Sequence, residues 1–279
     1  MPRNTHTYLF GRIHIVSGVQ DRDSKEMLVD ALKSGVVVVN GRFEYGFFEV
    51  TEFGEGDERY VCGQLVKFKD LLEGERVDKV NRRIVEDGLD EGVVAKSIFC
   101  IHYRSLIIAY RPITNRTSAS QFRKAFCDLV RTANEGFFFD VTIDTIQEEI
   151  AIQEALERFD VVNRVYFEIH PTNPSNRHVY KRLDERLKEW QAQKMQQTIE
   201  SKWGLNKSAL LQDDTYRALI MASDGYGRAQ VEGKVNGQVL VVSTNESPVR
   251  EEIRATDNVE SAWQQLRSKI QQLLDRKNR

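Results

Sequence analysis

Asp224, Glu232 and Lys234, in the stretch DGYGRAQVEGK, set a carboxylate ahead of an E-x-K triplet. Carboxylate oxygens suit a hard cation such as Mg²⁺, and a nearby lysine can orient a nucleophilic water, as in many metal-dependent nucleases. Lys234 stands just before Asn236-Gly237, however, so a charged hairpin tip accounts for the same letters. A second constellation is IHPTNPSNRHVYKRLDERLKEW, Ile169 to Trp190. Its prolines end a strand, Ser175 or Asn176 can cap a helix, and Arg177, His178, Lys181, Arg182 and Arg186 follow in the first turns. A helix start offers unbonded N–H groups and the positive end of a dipole, which together favour phosphate. Asp184, Glu185 and Glu189 are interspersed, so a solvated helix face is the plainer reading. His170 and His178 have no base, nucleophile or metal partner near them in sequence, which places packing or capping roles ahead of catalysis.

Other patterns are weaker. Arg164 and His170 fit a loose Arg-spacer-His nuclease pattern, but RVYFEIH alternates as a strand, which separates the two side chains along an extended backbone. Gly233-Lys234 lacks both the upstream glycine and the following hydroxyl of a phosphate loop, and Gly225-Tyr226-Gly227 is no dinucleotide fingerprint. Neither a nucleophile elbow nor a zinc-protease motif occurs. Cys62, Cys100 and Cys127 are far apart and unpaired in sequence, so they read as small core residues of a reducing, cytoplasmic protein. No metal site and no cofactor are expected, except Mg²⁺ under the nuclease reading.

The elements that must hold these residues follow from patterning. Tyr8 to Val16 alternates as a strand instead of forming the apolar core of a signal peptide, and no run is long enough for a bilayer. Helices are expected at DSKEMLVDALKSG, with a capping box of Asp23 and Glu26 and Gly35 past the end, and at SASQFRKAFCDLVRTANEG, with Phe122, Phe126 and Val130 on one face. Asn40-Gly41 and Asn236-Gly237 each predict a two-residue hairpin turn with positive φ, and a third hairpin turns at Tyr103-Arg104-Ser105. Strands RYVCGQLVKFKD, FFFDVTID and VNRVYFEIHP, and a helix over IQEEIAIQEALERF, complete an alternation typical of a layered α+β fold. The charged segment 73–91 reads as an exposed excursion or a flexible insertion. A long helix from His178 to about Ser201 should bury Val179, Leu183, Leu187 and Trp190, and a shorter helix is read at DDTYRALIMAS. The terminal helix should present Trp263, Leu266, Ile270 and Leu273 on one side, a surface on which the chain could oligomerise.

The fold class is therefore α+β, with mainly antiparallel sheets, hairpins, and helices on one face. Two lobes, 1–111 and 112–279, or one compact domain fit this order. With 40 Lys and Arg against 42 Asp and Glu, no global basic field exists, so DNA or RNA would have to meet a local patch.

YVCGQLVKFKD, SIFCIHYRSLIIAYRP, YFEIHPTNPSN and ALIMASDGYGRAQVEG, in this order, resemble a bacterial family known only as a domain of unknown function. The strand-ending HPTNP, His170 to Pro174, is the most recognisable element. The terminal helix and glycine hairpin are more distantly similar to the DNA-binding subunit of the Kiwa phage-defence system, KwaB. The second likeness implies a bacterial setting in defence against mobile elements. Together with the composition, the expected function is a cytoplasmic antiviral-defence or toxin-like module protein that binds nucleic acid, or a protein partner encoded nearby, with no membrane contact. The readings that compete with it are the Mg²⁺ nuclease and a non-catalytic scaffold.

Overall fold

The computed structural model describes residues 5–18, 22–70, 76–78, 81, 83–85, 91–147, 154, 156–173, 177–244, 248–256 and 258–277. The fold is α+β, and the chain divides into two compact units. The first comprises Met1–Leu9, Ile15–Thr142 and Arg250–Gln271; the second comprises Phe10–His14, Ile143–Val249 and Gln272–Arg279.

The first unit is built on a sheet of strands β1 (Thr5–Ser17), β2 (Val37–Asn40), β3 (Phe43–Phe53), β4 (Tyr60–Asp70), β7 (Glu91–His102), β8 (Ile107–Tyr110) and β14 (Arg250–Arg254). Their order is β14-β1-β8-β7-β4-β3-β2, and β9 (Phe139–Thr145) also pairs with β1. Helix α1 (Ser24–Lys33) starts at Asp23, whose carboxylate accepts from the Lys25 N–H. Glu26 does not complete the expected capping box, because it binds Tyr103 and Arg59 instead. Helix α2 (Ala119–Ala133) has a full capping box of Ser118 and Gln121. Its Phe122 and Phe126 pack on Phe99 of β7. In the terminal helix α6 (Val259–Lys277), Trp263, Leu266, Ile270 and Leu273 are all buried, so the stripe read as an oligomerisation surface is covered within the chain.

Two more expectations in this unit are corrected. The β4–β7 register sets Cys62 opposite Cys100, and these two sulfurs form a disulfide, so only Cys127 stays a buried thiol outside it. Cross-strand neighbours are distant in sequence, and spacing could not pair them. In the first hairpin Asn40 pairs with Phe43, which makes Gly41 and Arg42 the turn; Gly41 has positive φ and Asn40 stays in the strand. Within 73–91, β5 (Arg76–Asp78) and β6 (Arg83–Val85) form a short antiparallel pair, and the other residues up to 90, except 81, lie outside the described ones.

The second unit centres on a four-stranded antiparallel sheet of β10 (Val161–Ile169), β11 (Met195–Leu205), β12 (Gly227–Val235) and β13 (Gln238–Ser243). These strands lie in the order β11-β10-β12-β13. The alternation of β10 sends Val165, Phe167 and Ile169 into a core shared with Leu183, Leu187, Leu219, Met221 and Tyr226. Helices α3 (Lys181–Glu189), α4 (Lys207–Gln212) and α5 (Asp214–Ser223) supply the rest. The β12–β13 turn is as expected, with Asn236 at φ 50° and Gly237 at φ 77°, the type I′ signature. Of the helix expected over 146–159, residues 154 and 156–158 are helical, and 148–153 and 155 lie outside the described residues.

The long helix from His178 is corrected. A 3-10 turn, His178–Tyr180, leads into α3, which stops at Glu189; Gln191 turns at φ 52° and Met195–Leu205 continues as a strand. Residues 195–200 and Leu205 pair with β10 across a bulge, and such tertiary pairing overrides the weak helical preference of the intervening sequence. Only Leu183 and Leu187 of the predicted stripe are core, while Val179 is 42% and Trp190 61% exposed.

Candidate nucleic-acid interface

Two carboxylates of the second unit are each held between two cations, one inside and one at the surface. Asp224, at the end of α5, is 1% exposed. It pairs with Arg177, sits 2.7 Å from Lys277 Nζ, and accepts from the Tyr180 hydroxyl at 3.0 Å. Arg12 donates from Nε to the Asp224 carbonyl at 3.0 Å and lies over the Tyr226 ring at 4.0 Å. Burying charge is tolerated only where partners compensate it, and this carboxylate has cations on both oxygens. The glycines of DGYG let the strand approach. A Cβ on Gly227, at φ +138°, would lie 1.9 Å from the Glu168 carbonyl oxygen, so no other residue fits.

Beside this network the HPTNP segment works as a clamp. The Thr172 N–H and hydroxyl donate to Asp184 at 2.7 and 2.6 Å, and Lys188 reaches the same carboxylate at 2.6 Å. This ties the end of β10 to α3. Pro174, Ser175 and Asn176, including the expected caps, lie outside the described residues. His170 has partners that sequence distance concealed. Its ring stacks on His14 at 4.8 Å, its Nδ1 donates to the Gln193 carbonyl at 3.2 Å, and its Nε2 lies 3.9 Å from both Asp144 and Glu168. His14 donates from Nε2 to the Gly225 carbonyl at 2.6 Å. Burial, with His170 and Arg12 nearby, pushes His14 down to about 3, so this imidazole is neutral at neutral pH.

The second carboxylate, Asp214, begins α5 at the surface. Arg217 donates to one oxygen at 2.6 Å and Arg186 to the other at 2.9 Å. The bond from Arg217, then that from Arg186, holds this carboxyl below its usual range. Two guanidiniums on one carboxylate leave an excess positive charge. Arg186 also lies over the Trp190 ring, 5.2 Å from its centroid. Arg182, Arg186 and Trp190 recur at steps of four, which places them on one face of α3. Arg182 is exposed and has no ion pair among the described residues.

The basic residues after HPTNP thus separate. Arg177 is turned inward on Asp224, whereas His178, Lys181 and Arg182 are exposed and Arg186 is half-buried. Lys181 lies 3.8 Å from Glu185. Asp224, Glu232 and Lys234 are not brought together. Gly227 to Glu232 is five residues of extended strand, roughly 16 Å, and Glu232 lies opposite Arg164 in the register. Sequence reading missed Arg217, and it missed Trp190 as a surface group. The i, i+4 spacing to Arg186 was the available signal, but the apolar stripe claimed that residue first.

No curated protein matches this chain. The sequence profile of the domain of unknown function DUF4747 matches residues 13–271, nearly the whole length, and the chain belongs to that family.

Proposed function

We propose that the protein binds single-stranded nucleic acid on the face formed by Arg182, Arg186, Trp190 and Arg217, as part of a bacterial phage-defence or toxin-like module. The observation that carries this reading is Trp190, 61% exposed, with the Arg186 guanidinium over its ring. A large indole left in water beside cations offers a stacking surface for bases, and the arginines beside it suit phosphate oxygens. Lys181, at the start of the same helix, and His178, in the 3-10 turn before it, are exposed as well. Binding needs no metal in this reading, and the separation of Asp224 from Glu232 and Lys234 favours it over a Mg²⁺ nuclease. The defence setting rests on the distant likeness to KwaB.

Gel-shift titrations of unrelated DNA and RNA oligonucleotides test it. Arg182→Ala with Arg186→Ala should weaken binding across sequences and lower the salt slope by about one unit for each phosphate that the variant no longer neutralises. A charge-matched control, Arg104→Ala with Lys124→Ala, removes two exposed cations of the first unit and should leave both unchanged. Equal losses in the control, or no binding by wild type with chelator present, would defeat this reading and leave a protein partner.

A further inference from the structure

The first unit contains a cavity of about 760 Å³ between the start of β1 and the loop that leads into α2. Its lining includes His6, Thr7, Arg111, Thr114, Asn115 and Arg116, and among the described residues it contains no Asp or Glu. The loop is held in shape from three sides. Ile113 and Thr117 exchange backbone hydrogen bonds at 2.8 and 2.9 Å, Lys67 donates to the Arg116 carbonyl at 2.7 Å, and Arg116 donates to the Val94 carbonyl at 3.0 Å. Asn115 turns its tip at φ 60°.

Arg111 is the informative residue. It is half-buried at the wall, and among the described residues it has no carboxylate partner. Burial pulls its guanidinium below the ordinary value, only partly opposed by Tyr8, and among the described residues no carboxylate offsets this cation. Burial and Arg111 likewise hold His6 low, leaving its ring a neutral hydrogen-bonding group at neutral pH. An acid does touch the rim, where the Thr5 hydroxyl donates to Glu252 at 3.4 Å. The first turn of α2 forms part of the wall and adds the positive end of its dipole.

We infer that this cavity binds a phosphorylated small molecule of nucleotide size. Its volume lies within the range of small-ligand pockets, roughly 300–1,000 Å³. Two guanidiniums suit phosphate oxygens, and threonine hydroxyls with the Asn115 amide suit a sugar or base. A peptide carboxylate would use the arginines but leave much of the volume unfilled. The site is independent of the α3 face in the second unit.

Calorimetric titration and thermal shift at fixed ionic strength, with inorganic phosphate, pyrophosphate, AMP, ATP and glucose 6-phosphate, test this. At least one phosphorylated compound should bind the wild type. Arg111→Gln should weaken it about tenfold or more, the reduction expected on removing a hydrogen bond to a charged group. Arg116→Gln, on the exposed loop, should weaken it too, and serves where Arg111→Gln folds poorly. Arg182→Ala with Arg186→Ala should bind as wild type, which separates this result from failure of the nucleic-acid reading. The inference is overturned if no compound binds at millimolar concentration, if the folded Arg111→Gln and Arg116→Gln variants bind normally, or if only oligonucleotides bind and these variants lose them.

Discussion

Asp224 and Asp214 present the same arrangement, a carboxylate between two cations, in opposite surroundings. Asp224 with Arg177, Lys277 and Tyr180 is sealed from water, whereas the Asp214 side chain is 31% exposed between Arg186 and Arg217. The interior group is fixed, since removing one member strands a buried charge. The surface group is exchangeable, because water screens it and a phosphate can replace the carboxylate as partner of either guanidinium. Burial, and not residue type, thus separates a structural arginine from one available for binding, and both kinds occur within ten residues of each other in one stretch.

The largest expected effect is Asp224→Ala. It leaves Arg177 and Lys277 without their shared anion and should cost roughly 3–5 kcal/mol, read as a fall in the urea midpoint at unchanged slope. A decrease as small as that of Asp214→Ala would break the contrast.

His14 sharpens the interior side. Its folded value of about 3 lies below the ordinary 6.5, so between these values the unfolded chain binds the extra proton. Stability from this group is present above 6.5 and is lost as pH falls towards 3, by up to about 1.4 kcal/mol per pH unit. His14→Asn should remove that part of the slope from denaturation curves taken between pH 7 and 4. Parallel curves for the two proteins would show that His14 does not titrate across that window.

On the exposed side, Trp190→Ala should reduce single-strand affinity by about 1–3 kcal/mol per stacked base. It should cost little stability, in contrast with the roughly 3 kcal/mol or more expected of a core tryptophan. A large drop in the denaturation midpoint would return Trp190 to the core.

The smallest effect belongs to Asp214→Ala, below about 1 kcal/mol in stability, with nucleic-acid affinity kept or raised because the arginines lose their competitor. A clear fall in affinity would mean that Asp214 positions the arginines instead of competing for them. The depressed Asp214 carboxyl contributes stability above the usual carboxylate range, which fades as pH falls through its lowered value.

Short-range patterning was legible from residues alone. The cap at Asp23, the type I′ turn at Asn236-Gly237, the faces of α2 and α6 and the alternation of β10 depend on neighbours one to four positions away. The helix after HPTNP misleads for the same reason. Its helical spacing persists to Trp190, but the pairing of β11 with β10, invisible to a local window, ends the helix at Glu189.

Amino-acid order by itself determined the α+β class, most element positions and the basic stretch from Arg177 to Arg186. Tertiary structure alone decided which charges of that stretch face inward, that Cys62 meets Cys100, that His14 stacks on His170, and that a cavity forms beside Arg111. The physical reason is range. Turns, caps and faces are set by contacts along the chain, whereas desolvation and charge pairing depend on neighbours tens to hundreds of residues away, which only the closed fold brings within hydrogen-bond distance.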